Sequence, residues 1–354
     1  MEKKQQDPGK PVEKTYDLFG LGSAVMDVLV MAEETELLSF DIQKGMMKLI
    51  EEDELGEILR KIAHLKPLLR PGGSVANTCA GMVRLGGNAI FCSLIGKDEQ
   101  GALYEEKMRR EGIAVRLTKE EGKGLTATAI TFITPDSERS FATHLGIALK
   151  TATRHIVEED IRKAKVAHFE GYMLEGGTTR EATEHAMELA RKHNTRVSLD
   201  VSDKGVIQRI RPYLKKIIAN HVDILFLNEE EAAELTGKLY SEAAQELGRL
   251  ADIVIVKIGK QGSLIFHDDR IMKIKGVTTD AVDTTGAGDM YAAGFLYGHT
   301  HGLSLGKSGA IASMASAKVV ENIGARIDID LQEEVKRILD EEAEQPKSKQ
   351  ADNR

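Results

Sequence analysis

Residues 283–289, Asp-Thr-Thr-Gly-Ala-Gly-Asp, run into MYAAGFLYG, so a glycine-rich turn opens a helix of small residues. Such a turn exposes unpaired N–H groups, and the helix dipole adds partial positive charge at the same end. The result is an anion hole suited to a phosphoryl group. Asp289 falls in the first turn of that helix, where an acid is favoured by the dipole alone. Beside a phosphate, its carboxylate can also take a proton from an attacking hydroxyl. Without a ligand, the same segment is a capped helix behind a tight turn.

A second cluster is Gly72-Gly73-Ser74-Val75-Ala76-Asn77, closed later by Arg84-Leu85-Gly86-Gly87. Pro71-Gly72-Gly73 makes a turn, and Ser74 is placed to cap the helix that follows. Asn77, one turn in, points towards the same end, where an amide can hold sugar hydroxyls; otherwise it is a neutral residue on a capped helix. The third cluster is Gly20-Leu21-Gly22, with Asp27 set between Met26 and Val28-Leu29-Val30. A G-x-G after a strand prompts a dinucleotide-binding reading, hence a nicotinamide-dependent oxidoreductase. Val25 stands where the third glycine belongs, and no helical period follows. An acid in so apolar a setting needs partners, and ligand hydroxyls would serve.

Alternating elements must hold these clusters. Strands are expected at Tyr16–Leu21, Ala89–Ile95, Val166–Phe169, Arg196–Asp200, Asp223–Leu227 and Asp252–Ile258. Helices are expected over residues 51–69, from the 3- and 4-residue steps of Leu55, Ile58, Leu59, Ile62, Leu65 and Leu69, and at Ser74–Leu85, Ala102–Glu111 and Arg180–His193. Nearly continuous apolar runs such as DIVIVKI suit a parallel sheet covered on both faces, and the alternation argues an α/β fold. Thr126–Thr134 and Arg139–Leu145, joined around Pro135-Asp136, read instead as a β-hairpin. With the β-prone segment Met26–Ile50, it is expected to form a small accessory sheet.

Composition narrows the classes. The 354 residues permit about two domains, or one large α/β domain with an attachment. Apolar residues make up 42%, enough for a core, and 48 basic against 56 acidic residues leave a net charge of −8. That balance argues against nucleic acid as a partner. Cys79 and Cys92, the only cysteines, are not in C-x-x-C, so neither a disulfide scaffold nor a zinc ribbon is expected. No apolar run approaches the ~18–20 residues of a membrane span. The charged start MEKKQQDPGKPVEK lacks an apolar signal region, so a cytoplasmic location is expected, with tails at 1–14 and 341–354 flanking one folded unit at 15–340.

Taken in order, the clusters resemble the PfkB, or ribokinase-like, family of sugar and nucleoside kinases. DTTGAGD is similar to that family's C-terminal signature and GGSVANTCAGMVRLGG to its N-terminal one. Asn228-Glu229-Glu230-Glu231 resembles its N-x-x-E motif, and Gly259-Lys260-Gln261-Gly262 its G-x-x-G nucleotide loop. The likeness runs from about Tyr16 to about Arg326. SFATHLGIA, FEGYML and HVDILFLNEEE are most similar to the bacterial adenosine-kinase-like branch. No G-x-x-x-x-G-K-[ST] occurs, which excludes a Walker A kinase.

The resemblance implies a ribokinase-like three-layer sandwich with a mainly parallel central sheet and a small β-sheet lid, drawn from about residues 26–50 and 124–146. It implies transfer of the γ-phosphoryl of ATP to a hydroxyl, usually primary, of a nucleoside or sugar, with Mg2+ and with K+ as a further cation. Asp289 would be the general base, and Gly286, Ala287 and Gly288 would supply N–H donors to the moving phosphoryl. Asp27, Gly72, Gly73, Asn77 and the lid residue Arg139 would hold the acceptor. Asn228, Lys257, Gly259, Gly262 and Asn322 would lie along ATP, with Lys257 where the family often has Thr. Glu231 and Asn228 would meet Mg2+ largely through water, and Asp283 and Thr285 would flank the monovalent cation. Phe40, Phe141 and Tyr172 are the aromatics available to stack on a base. The alternatives are a ribokinase- or fructokinase-type sugar kinase and a binding protein that has lost catalysis, against which the intact Asp289 argues. The partner would be a small molecule, the protein a monomer or homodimer. His299 and His301 read as ordinary helix-end residues.

Overall fold

The computed structural model describes residues 13–120, 124–136 and 138–341, so the expected tails fall outside it except at their inner ends. In chain order the strands are β1 (Tyr16–Leu21), β2 (Val25–Met31), β3 (Met47–Leu49), β4 (Leu68–Gly72), β5 (Ala89–Ile95), β6 (Ala114–Lys119), β7 (Ala127–Ile133), β8 (Arg139–His144), β9 (Ala164–Glu170), β10 (Arg196–Asp200), β11 (Ile224–Asn228), β12 (Ile253–Lys257), β13 (Gly262–His267) and β14 (Arg270–Lys275). Nine form a central sheet in the order β14-β13-β12-β11-β10-β9-β1-β5-β6. Its pairs are parallel from β12 across to β6, while β13 and β14 add an antiparallel edge.

Successive residues of a strand point to opposite faces, and here both faces are buried. Leu18, Phe226 and Ile255 enter one core, and Phe19, Leu225 and Val254 the other. That is why the strand sequences are continuously apolar. Helices Ser74–Arg84, Ala287–Thr300 and Leu305–Val320 cover the first face; Gly177–Lys192, Lys204–His221, Glu229–Thr236 and Tyr240–Leu247 cover the second. The architecture is the expected three-layer α/β sandwich.

The second sheet has five strands, in the order β3-β8-β7-β2-β4. The expected hairpin is there as the antiparallel pair β7–β8. Met26, Val28 and Val30 of β2 share a core with Leu55, Ile58 and Ile62 of helix Glu52–Ile62. The alternate residues, Asp27 and Leu29, line a cavity beneath the sheet. Two expectations need correction. The 51–69 helix stops at Ile62, and after a short 3-10 turn Lys66 takes a left-handed φ of 52° ahead of Pro67, so Leu69 belongs to β4. A residue before proline is pushed out of the helical region, which ends the helix. The 26–50 segment also contains a short helix, Glu34–Ser39, whose Glu36 carboxylate accepts the Glu33 N–H at 2.8 Å. Among the described residues no helix is long and apolar enough to cross a membrane. Both cysteines are buried and free.

Candidate active site

The chemistry converges on the start of helix Ala287–Thr300. Its N-cap is Gly286, with φ 76° and no side-chain cap. A Cβ there would stand 2.6 Å from Ala325 Cα, so the turn requires glycine on both counts. The Ala287 N–H turns back to the Thr284 carbonyl at 3.2 Å, which removes it from the expected donor set. Met290 N–H makes the first helical bond, to Gly286, so Gly288 and Asp289 carry the first-turn N–H groups left without an intrahelical acceptor.

Asp289 is held from the neighbouring helix. Ser74 Oγ donates to its Oδ1 at 2.7 Å and Asn77 Nδ2 to its Oδ2 at 2.9 Å. Ser74 is therefore not the cap expected of it; Gly73, with φ 96°, is the N-cap, and a Cβ there would lie 2.1 Å from the Ser23 carbonyl. The two helices touch through Gly81, where a Cβ would meet that of Ala293 at 2.6 Å. Burial pushes the Asp289 carboxyl up to about 6 despite these two donors.

A cleft of about 820 Å³ opens beside this helix end, walled by Asp200, Asn228, Glu231, Lys257, Gly259 and Gly262. Gly259 and Gly262 turn the chain with φ of 54° and 101°, and a Cβ on Gly262 would lie 2.1 Å from the Ile274 carbonyl. Lys257 Nζ donates to Asp200 Oδ2 at 2.7 Å and stands 3.1 Å from where a Cβ of Gly288 would be, which sets a cation against the anion hole. Burial alone would lower its pKa, but Asp200, Glu231 and Asp289 hold it above the ordinary lysine value. Asn228 and Glu231 form a capping box: Asn228 Oδ1 accepts Glu231 N–H at 2.9 Å, and the Glu231 carboxylate accepts Asn228 N–H at 2.7 Å and Nδ2 at 2.8 Å. Burial, then the charge of Asp200, raises the Glu231 pKa, with Lys257 opposing.

These acids suit Mg2+ only through water. Both Glu231 oxygens and Asp200 Oδ2 already accept protein donors, and among the described residues no group of three or more His, Cys, Asp or Glu is arranged around a metal. At the turn whose backbone was expected to flank K+, the side chains are engaged with one another. Asp283 Oδ1 and Thr285 Oγ1 hold the Arg139 guanidinium at 2.5 and 2.7 Å. Asp283 also accepts Thr285 N–H at 2.9 Å and Gly324 N–H at 2.6 Å. Burial pushes its carboxyl up, but these donors, Arg139 first, hold it below its usual value. Arg139 thus joins β8 to the 283–285 turn, and it also lines the cavity beneath the small sheet.

Beneath the small sheet, Asp27 lines a cavity of about 100 Å³ together with Arg70, Thr131, Arg139, Phe141 and Arg326. A Cβ on Gly72 would fall 2.2 Å from Asp27 Oδ2, so this glycine makes room for the carboxylate. Burial raises Asp27 to about 7, with Arg326 opposing and Asp289 adding. Of the other expected residues, Asn322 lies away from the 820 Å³ cleft and donates to the Lys318 carbonyl at 3.0 Å beyond the end of its helix. Phe40 is buried against Phe132, at 5.8 Å between ring centres, and is closed to stacking. Tyr172 lies on the cleft, its hydroxyl 3.3 Å from Asp203. His299 ends its helix stacked on Phe295.

Four residues escaped the motif reading. Ser74 was visible only as a cap. Glu170 accepts Ser23 N–H at 2.9 Å and Val75 N–H at 3.2 Å, tying the second and third glycine clusters together, and burial raises it to about 7. An acid ending a strand was the available signal for Glu170 and for Asp200. Arg326 gave none; it is 5% exposed, and its Nε donates to Asn77 Oδ1 at 2.9 Å. That bond fixes which end of the Asn77 amide faces Asp289.

The model of the pfkB family carbohydrate kinases matches residues 46–332. An adenosine kinase from Sinorhizobium meliloti superposes with a TM-score of 0.82 at 29% identity, over 91% of this chain and 99% of that one. A probable sugar kinase from Rhizobium etli gives 0.82 at 30%, over 92% and 98%. A 5-dehydro-2-deoxygluconokinase from Clostridium tetani is 28% identical over 290 residues, 77% of this chain and 85% of its own.

Proposed function

The chain belongs to the pfkB family of carbohydrate kinases and is a phosphotransferase, and from that premise we propose that it moves the γ-phosphoryl of ATP to a primary hydroxyl of a sugar or nucleoside. One observation carries the reading: a proton acceptor, Asp289, stands in the uncapped first turn of a helix, gripped by Ser74 and Asn77, beside a cleft of nucleotide size. Asp289 takes the proton of the acceptor hydroxyl, whose oxygen forms the new bond to phosphorus as the bond to the ADP oxygen breaks. The N–H groups of Gly288 and Asp289 and the Lys257 ammonium meet the charge on the transferring oxygens. Asp200, Asn228 and Glu231 would face the water shell of a Mg2+ ion bound with the nucleotide, which would supply further neutralising charge.

Asp27 would accept hydroxyls of the acceptor, and the five-stranded sheet would act as the lid that keeps water from competing as nucleophile. The S. meliloti neighbour supports a nucleoside acceptor. The walls under the lid support a sugar: the space is about 100 Å³, and Phe141 is the one aromatic lining it among the described residues. A panel of adenosine, guanosine, inosine, cytidine, ribose and fructose with ATP and Mg2+, followed by ADP release, tests both. Phosphorylation of a sugar but no nucleoside is expected; the reverse restores the nucleoside reading.

A further inference from the structure

Strand register lays out the underside of the small sheet as a grid. Arg70, Asp27 and Ala129 pair in one row across β4, β2 and β7; Leu29, Thr131 and Phe141 form the next across β2, β7 and β8; Met31, Ile133 and Arg139 form the third. Residues two apart on a strand share a face, so the side that bears Asp27 also bears Arg70 and Arg139. Arg326 closes the cavity from the loop after helix Leu305–Val320. Three guanidinium groups and one carboxyl therefore wall a space of about 100 Å³.

The guanidinium groups are not equally engaged. Arg139 is committed to Asp283 and Thr285. Arg70 has two long bonds, at 3.4 Å to the Arg326 carbonyl and 3.2 Å to Asp328, whose side chain is 77% exposed. Arg326 gives Nε to Asn77 and Nη1 to Glu111 at 2.7 Å, while its buried Nη2 has no partner. A buried, charged donor without an acceptor is costly, and an anionic oxygen is the acceptor it matches best. Arg70 and Arg326 also line a larger groove of about 590 Å³ that adjoins the cavity, so an anion at this boundary has room for a chain behind it.

We propose that the acceptor is an anionic polyhydroxylated compound, a sugar acid or a sugar phosphate, whose anion sits between Arg70 and Arg326 while its hydroxyls face Asp27 and Asp289. The inference rests on the kinase reading and narrows its substrate class. The raised pKa of Asp27 agrees, because a carboxyl that takes up a proton near neutrality offsets less of the arginine charge.

The test is a set of matched acceptors with ATP and Mg2+ on the full chain: D-gluconate and 5-dehydro-2-deoxygluconate for carboxylates, fructose 6-phosphate for phosphates, and fructose, ribose and adenosine as neutral controls. An anionic acceptor is expected to exceed the best neutral one at least tenfold in kcat/KM, and the arm that responds says whether carboxylate or phosphate is read. Arg70→Met is expected to raise KM for that acceptor at least tenfold while KM for ATP stays within twofold, which also shows that the variant folds. A neutral compound that performs as well, or no turnover of any anionic one, overturns the inference and leaves the kinase reading intact if a neutral compound is phosphorylated. If no compound is phosphorylated, the kinase reading falls with it. An anionic preference with KM unchanged in Arg70→Met overturns the role given to the arginines.

Discussion

The two halves of the site are built from different materials. The half proposed for the nucleotide rests on backbone: a helix end capped by Gly286, and turns with left-handed φ angles at Gly259 and Gly262, all lining an 820 Å³ cleft. The acceptor half rests on side chains: Asp27, Arg70, Arg139 and Arg326 come from β2, β4, β8 and a C-terminal loop to enclose about 100 Å³. Backbone donors are the same whatever the sequence, so a phosphate site can keep its geometry while the side chains opposite it vary. The division lets one phosphoryl-transfer device serve many acceptors.

That contrast can be broken at either half. The largest effect is expected at their junction. Asp289→Asn removes the proton acceptor while keeping the bond to Ser74, and kcat should fall about 10²–10⁴-fold with ATP affinity little changed. Near-normal turnover would remove Asp289 from the mechanism. On the nucleotide side, Gly286→Ala meets Ala325 and a φ of 76°, so it should displace the N–H donors and cost about 10²-fold in kcat, with KM for the acceptor nearly constant. A loss expressed in acceptor KM instead would show that the halves are not separable.

The pH profile gives a smaller effect with two opposite signs. Turnover should fall about tenfold per pH unit below about 6, as Asp289 is protonated. Stability should move the other way. Asp27, Glu170 and Asp289 have folded pKa values raised above their unfolded ones, so the folded state binds more protons. Their contribution is greatest below about pH 4 and is lost as pH rises through about 6 to 7. Thermal melts at pH 5 and 8, with Glu170→Gln as control, check the sign. Smallest is Arg139→Met, which leaves the buried Asp283 short of a donor and should cost about 1–3 kcal/mol of stability.

The same contrast explains what the sequence disclosed. The glycine turns of that half were legible because turns with positive φ demand glycine, and glycine clusters are visible in a string of letters. Six of the central strands were legible because two buried faces force continuous apolar runs. Arg326, by contrast, acts across 249 residues on Asn77, and nothing local marks it. Arg139 was singled out, but its partner Asp283 lies 144 residues away, so its orientation could not be read. The 51–69 helix was extended too far because Leu65 and Leu69 keep the helical spacing by coincidence, where Lys66-Pro67 is the stronger signal.

The small sheet is not a single flap. It is inserted into the chain twice, between β1 and β5 and again between β6 and β9, so the backbone passes between the two sheets four times. A hairpin hung from one end swings freely, whereas a plate held at four corners moves only if all four hinges yield together. The crossing at Gly73 directly adjoins Ser74, which holds Asp289, so a tilt of the plate would also pull on the residue that aims that carboxylate. Any motion of the small sheet would thus be geared mechanically to the alignment of the carboxylate proposed to start the reaction.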